Sequence, residues 1–323
     1  MAPSSMVRVG TCSWADELLT KYWYPPSERT AEGRLRYYAE RFDTVEVNST
    51  YYRLPAAQMA ERWAERTPDG FTMHVKAFAT MTRHPVKPDA VPPELRDDAP
   101  VDEKGRVDRM PREFRGEFFR LFREALEPLR SAGKLGGILM QFPPYFVFRD
   151  RSLEYLEWAH EQLGGDEMLV EFRHASWLDE ENRAATLSFL EQRGMAFVVV
   201  DAPRTGGRNV LPTVVAVTSP TAYVRFHGRN AKTWNVRGGS AAERFDYLYP
   251  REELEEWAEP MVELSQKAEQ AFAMVNTNNR SNVPTPLGDE EIVVQGPANA
   301  ELLRSVLADH GVPVTQPGVA AGR

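Results

Sequence analysis

Cysteine is almost absent: Cys12 is the only one among 323 residues. No internal disulfide can form, and a reducing, cytoplasmic setting is the expectation. Apolar runs are short as well. None approaches the roughly 20 residues of a membrane span. Residues 1–6 lack a charged start followed by an apolar core, so no leader is expected. Positive charge is in deficit, with 39 Lys and Arg against 47 Asp and Glu, a net charge of −8. A field of that sign does not gather nucleic acid or an anionic membrane over distance. Motifs of several enzyme classes are missing: no P-loop, no G-x-S-x-G, no H-E-x-x-H and no C-x-x-C. No internal repeat and no break in composition divides the chain.

What the chain does have is a recurring unit. Short β-rich runs lie at 7–11, 43–48, 71–76, 135–142, 168–172, 196–201, 222–227 and 271–276. Amphipathic helical patterns follow at 31–41, 57–66, 112–131, 152–163, 180–193, 251–270 and 298–309. The gap after the sixth run holds no convincing helix. Strands alternating with helices imply a parallel sheet, and closing it into a barrel removes both edges. An open doubly wound sheet is the rival, but no G-x-G-x-x-G follows the first strand. The expectation is one α/β domain, a (β/α)8 TIM barrel over 7–312, with tails at 1–6 and 313–323. A Pro-rich, charged insert at 82–115, before the third helix, reads as a loop or a lid.

Side chains alternate faces along a strand. That puts Glu46 with Asn48, His74 with Lys76, Glu171 with Arg173, and Tyr223 with Arg225 and His227. The fourth strand ends near Gln141, the sixth in Asp201 and the eighth in Asn276. If the apolar faces meet the helices, these polar groups converge at the C-terminal mouth, where this fold keeps its active sites. Glu46, Glu171 and Asp201 would balance Lys76, Arg173 and Arg225. An ion network that only closes the barrel top is the bland alternative. His74 lies deeper and reads as a satisfied core histidine. Trp14, Tyr51, Tyr52 and Trp177 follow strands and could wall a flat ligand, or simply pack. Gly- and Arg-rich loops at 204–208 and 237–240, with Arg229, Lys232 and Arg280, could hold an anion. His174, His227, Glu46, Glu171 and Asp201 would suit a divalent ion, but Arg173 and Arg225 beside them argue against one, and a metal-free site is favoured.

Several segments, taken in order, resemble one family. They are Val9-Gly10-Thr11-Cys12-Ser13-Trp14, Val45-Glu46-Val47-Asn48-Ser49-Thr50-Tyr51-Tyr52-Arg53-Leu54-Pro55, and Leu139-Met140-Gln141-Phe142-Pro143-Pro144. Trp63 with Thr67-Pro68, Val75-Lys76, Val170-Glu171-Phe172-Arg173-His174 with Ser176-Trp177, Tyr223-Val224-Arg225-Phe226-His227-Gly228, Asn278-Asn279 and Ala298-Asn299-Ala300 complete the set. The chain is similar to the YecE-like domain-of-unknown-function family (DUF72). That resemblance implies a TIM barrel and no particular activity. The insert at 82–115 and the segment 280–291 are longer than the family pattern, which bears on Asn278 and Asn279.

The leading functional expectation is an enzyme, a hydrolase or isomerase, acting on a small polar, phosphorylated or carbohydrate-like molecule. Glu46, Glu171 or Asp201 would serve as acid or base. His174 and His227 would shuttle protons. Lys76, Arg173 and Arg225 would stabilise negative charge. Trp14, Asn48, Tyr52, Gln141, Trp177, Asn276 and Asn279 would bind the ligand. The alternatives are a metal-dependent, endonuclease-like nucleic-acid-binding barrel, which the net charge disfavours, and a non-catalytic binding protein.

Overall fold

The computed structural model describes residues 4–203, 211–232, 234, 244–285 and 289–317. Eight parallel strands close into a barrel in sequence order. They are β1 (Val7–Thr11), β2 (Thr44–Val47), β3 (Thr72–Lys76), β4 (Leu135–Gln141), β5 (Met168–Glu171), β6 (Ala196–Asp201), β7 (Thr221–Phe226) and β8 (Gln270–Val275). β8 returns to β1 in register from Val7↔Ala271 to Thr11↔Val275. The β1–β2 seam is thinner, with the single pairing Thr11↔Val45. Tyr38 reinforces it from the helix layer: its hydroxyl accepts from Thr11 N at 3.0 Å and donates to Thr44 O at 3.1 Å.

The helices are α1 (Ala31–Ala39), α2 (Ala57–Glu65), α3 (Pro93–Arg96), α4 (Arg112–Ala125), α5 (Glu127–Ser131), α6 (Asp150–Leu163), α7 (Arg183–Gln192), α8 (Arg251–Glu255), α9 (Ala258–Lys267) and α10 (Gln295–Asp309). Among the described residues no helix is long and apolar enough to cross a membrane. α4 buries Phe118, Phe119 and Phe122 completely against the barrel, each worth roughly 1.5–3 kcal/mol of apolar transfer. Two patterns read as single helices are broken. Pro128 enters at the start of α5 and Pro260 in the first turn of α9, where the ring removes a donor from the helical ladder. After β6 the described residues 211–218 form no helix, in line with the gap in the sequence pattern.

Two segments depart from expectation. β9 (Arg280–Pro284) and β10 (Glu290–Val294) pair antiparallel between β8 and α10. These strands are mostly exposed on both faces, so they carry no apolar alternation to read. Residues 313–315, placed in a tail, instead bond to β1: Val7 N donates to Pro313 O at 2.7 Å and Thr315 N to Val7 O at 3.0 Å. The 82–115 insert is packed around buried Val86, Val91, Val107 and Met110, and Val86 and Val107 exchange backbone hydrogen bonds.

The barrel interior has an apolar layer of Leu139, Leu169, Ala196, Val198, Tyr223, Phe272 and Met274. His74 sits within it, its ring edge-on to Tyr223 (4.7 Å) and Phe272 (4.3 Å). Neither ring nitrogen has a hydrogen-bond partner, which corrects the expectation of a satisfied core histidine. Burial, aided by the charge on Arg8, pushes its pKa down to about 3, so the ring is neutral. It fits because Gly136 faces it: a Cβ there would lie 2.5 Å from His74 Cε1.

On β6, Phe197 and Val199 face the helix layer, and Asp201 follows them there. Its carboxylate accepts from Tyr249 Oη at 2.5 Å, Trp257 Nε1 at 3.2 Å and Arg229 Nη2 at 2.8 Å. This buried node ties the end of β6 to the segment after β7 and to the α8–α9 junction. Asp201→Ala strands a tyrosine and a tryptophan donor and leaves Arg229 only Glu253 and Glu256. We expect it to cost about 3–5 kcal/mol, read from the urea midpoint; an unmoved midpoint would mean that this node does not hold the fold.

Candidate active site

The mouth begins with Arg225, whose side chain is 1% exposed on the interior face of β7. Its Nε and Nη2 donate to Glu46 Oε2 (2.9 Å) and Oε1 (2.6 Å), a two-pronged fork from β7 to β2. Its Nη1 donates to Glu171 Oε2 on β5. Tyr223, one turn of the pleat below, donates its hydroxyl to Glu46 Oε2 at 2.9 Å. Burial works against the guanidinium charge, but Glu171 and Glu46 more than compensate and hold its pKa well above the ordinary value. Glu46 therefore has both oxygens committed.

Glu171 is the hub. It accepts from Arg225, from Arg173 Nε at 2.5 Å and from Gln141 Nε2 at 2.7 Å, with His227 Nε2 at 3.3 Å. Burial alone would raise its pKa. Arg173, Arg225 and His227 outweigh burial and hold the carboxyl well below the usual range. His227 is pushed the other way, to about 3, by burial and by Arg173. Its Nε2 lies 3.0 Å from Arg173 Nη2 and 3.3 Å from Glu171 Oε1. Asn276 Nδ2 lies 2.9 Å from Nδ1, and Asn276 Oδ1 accepts from Asn48 Nδ2 at 3.5 Å. Phe245 stacks on the imidazole at 5.3 Å and Trp234 flanks it at 5.9 Å, so His227 is sealed from water.

Lys76 stands at the water edge of β3. Its Nζ donates to Gln141 Oε1 at 2.8 Å and lies 4.5 Å from the centre of the Tyr51 ring. Burial and the neighbouring Arg225 pull its pKa down to about 8, against the opposite pull of Glu46 and Glu171. It remains mostly charged at neutral pH. With Asp201 on the other side of the sheet, three cations (Lys76, Arg173, Arg225) face two carboxylates (Glu46, Glu171) among the described residues, and the Arg244 charge also acts on Arg173. Among these residues the mouth is not the balanced set that the sequence suggested; it has a positive surplus. Among the described residues no group of three or more His, Cys, Asp or Glu side chains is arranged to hold a metal ion. The donor set does not fit one either, since both carboxylates are closed on guanidinium groups.

A family model described as "Protein of unknown function DUF72" matches residues 8–287. The chain belongs to the DUF72 family. The UPF0759 protein YunF of Bacillus subtilis (strain 168) is 32% identical over 278 residues, covering 85% of this chain and 89% of that protein. The solved DUF72 family protein of Thermotoga maritima MSB8 is 31% identical with a TM-score of 0.70, over 94% of this chain and 99% of that one. That of Enterococcus faecalis V583 has a TM-score of 0.73 at 21% identity, over 98% and 100%, and shows the shared fold.

In this DUF72 barrel the structure brings together Glu46, Lys76, Gln141, Glu171, Arg173, Arg225, His227 and Asn276. Asn48 joins at the edge, donating to Cys12 O at 2.8 Å, while its own Oδ1 is buried without a partner. Other expected residues lie elsewhere. Asp201 is in the helix layer. His174 turns away to accept from Ser176 N at 3.2 Å, capping a short helical turn. Trp177 is fully buried in a stack between Phe146 and Phe172, and so cannot wall a ligand. Trp14 packs edge-on to Trp63 at 5.7 Å, and Asn279 accepts from Arg280 N at the start of β9. Tyr52 is 66% exposed, and its neighbour Tyr51 is the ring that meets Lys76. Arg229 is taken by Asp201 and Glu256. The loops 204–208 and 237–240 lie outside the described residues. The sequence reading missed Trp234, Phe245 and His84. No local pattern marks them, because segments far apart in the chain bring them to the mouth.

Proposed function

We propose that the mouth of this barrel takes a small anionic, polar molecule, phosphorylated or carbohydrate-like, and acts on it as a hydrolase or isomerase. The observation that carries this reading is the positive surplus. Both mouth carboxylates are closed on arginines, while Lys76 has, among the described residues, one side-chain acceptor, Gln141, for its three donors. An anion on Lys76 would complete its hydrogen bonding and cancel the surplus. Arg225 is the strut that keeps Glu46 and Glu171 in place, and Arg173 stands beside Lys76 as a second positive group. A reducing, cytoplasmic setting accords with a lone cysteine that is buried and free of any disulfide.

Calorimetric titration with inorganic phosphate, sugar phosphates and small carboxylates tests this. Lys76→Met is expected to weaken binding at least about tenfold, equivalent to 1.4 kcal/mol, with the unfolding midpoint preserved. Raised salt should weaken binding to the wild-type protein. The reading fails if the wild type binds none of these anions, or if the variant binds as tightly as the wild type.

A further inference from the structure

We infer that His84, carried by the insert after β3, is the proton acceptor of this site. The inference rests on the anion reading above and adds to it the residue that would do the chemistry.

The other histidines are committed elsewhere. His74 is enclosed in the interior layer. His227 lies under Phe245 and Trp234 with a guanidinium on its Nε2. His174 caps a turn, and His160 and His310 belong to α6 and to the end of α10. His84 is half-buried at the mouth, with its ring edge-on to Tyr51 at 5.3 Å, and Lys76 Nζ lies 4.5 Å from that same ring.

The tautomer turns on the Thr82 hydroxyl. With its one hydrogen donated to Ala79 O at 3.1 Å, Thr82 Oγ1 accepts from His84 Nδ1, 2.9 Å away. With the proton on Nδ1, the lone pair is on Nε2, and Nε2 has no hydrogen-bond partner among the described residues. The backbone is arranged to present this ring. Arg83 takes the left-handed conformation (φ 64°), costly for a residue with a side chain, and His84 N closes the turn on Ala79 O at 2.9 Å. The Arg83 guanidinium lies over the Tyr155 ring at 5.3 Å, which anchors the turn.

The groups facing His84 are Lys76 from β3, Arg173 from the end of β5, Tyr51 from the turn after β2, and Thr82 of its own turn. Burial, then Lys76 and Arg173, hold its pKa down to about 3, so it is a neutral base in the free protein. A bound anion reverses the sign of that local field and strengthens the base when substrate arrives. The step is a proton transfer. A hydrogen leaves an O–H or an acidified C–H of the bound anion and forms Nε2–H. The electron pair stays on the ligand, where Lys76 and Arg173 face it, and His84 becomes an imidazolium.

Nuclear magnetic resonance of the full chain with isotope-labelled histidine tests this, with inorganic phosphate as the probe. His84 should be the Nδ1–H tautomer and neutral at pH 6, and phosphate should raise its pKa by at least about one unit, a tenfold gain in proton affinity. Thr82→Val should erode the tautomer preference and Thr82→Ser should restore it. An Nε2–H tautomer overturns the inference. So does phosphate that binds, with heat lost in Lys76→Met, while the His84 signals stay still. Absence of any phosphate binding is a different failure: it removes the anion reading, and this inference with it.

Discussion

Arg225→Met is expected to lower the unfolding free energy by about 3–5 kcal/mol, the cost of leaving a buried carboxylate without its partner. Two carboxylates lose a partner here. Glu46 keeps only the Tyr223 hydroxyl, while Glu171 keeps Arg173 and Gln141. The deficit should therefore fall mainly on Glu46. Adding Glu46→Gln to Arg225→Met should recover a substantial part of the loss, because the amide needs no counter-ion. Adding Glu171→Gln should recover less. Urea unfolding of the single and double variants measures both couplings. A midpoint shift below about 1 kcal/mol for Arg225→Met would mean that water reaches the fork and that the mouth is far less closed than its geometry indicates.

Acid should destabilise the fold well above the carboxylate range. His74, His84 and His227 all have pKa values near 3 in the folded chain, against about 6.5 when unfolded. Between those limits the unfolded chain binds protons that the folded chain refuses. Stability therefore rises with pH through this window and is lost as pH falls from about 6.5 toward 3. Each histidine contributes a slope of up to about 1.4 kcal/mol per pH unit. Glu171, held low, adds a loss of the same sign below the ordinary glutamate value of 4.5. Urea midpoints at pH 7, 6 and 5 should drop steadily, and His74→Leu should flatten the slope by about one proton. The same change should be neutral or stabilising at pH 7, since it removes two buried nitrogens that have no partner. A midpoint constant from pH 7 to 5 would show that these rings are not neutral and enclosed.

The barrel was legible because eight apolar runs recur with helices between them, and face alternation is a local property. It placed Glu46, Lys76, Glu171, Arg225 and His227 on the inside correctly, since the ends of β2, β3, β5 and β7 alternate polar with apolar. It failed at Asp201 for a physical reason. β6 reads Ala-Phe-Val-Val-Val-Asp and is apolar on both faces, so nothing in it says which face is interior. Trp177 fails differently. An aromatic residue just past a strand looks the same whether it lines a mouth or fills a core, and only the stack with Phe146 and Phe172 decides. Tyr51 and Tyr52 exchange roles because the chain turns through a single helical turn there, replacing strand alternation. His84 was out of reach altogether: its position depends on how the insert packs, and the Thr82 turn that orients it makes sense only beside Lys76 and Tyr51.

A Cβ at Gly136 would meet Thr72 Cγ2 and, at 2.5 Å, His74 Cε1, so three positions on neighbouring strands share one volume. None can evolve or be redesigned alone. A methyl group gained at 136 has to be surrendered at both 72 and 74, while a shrunken His74 by itself opens a void. Relatives of this barrel should accordingly vary at the three sites in concert, large against small, and such a correlated swap would let the interior be repacked without disturbing the charged layer above it.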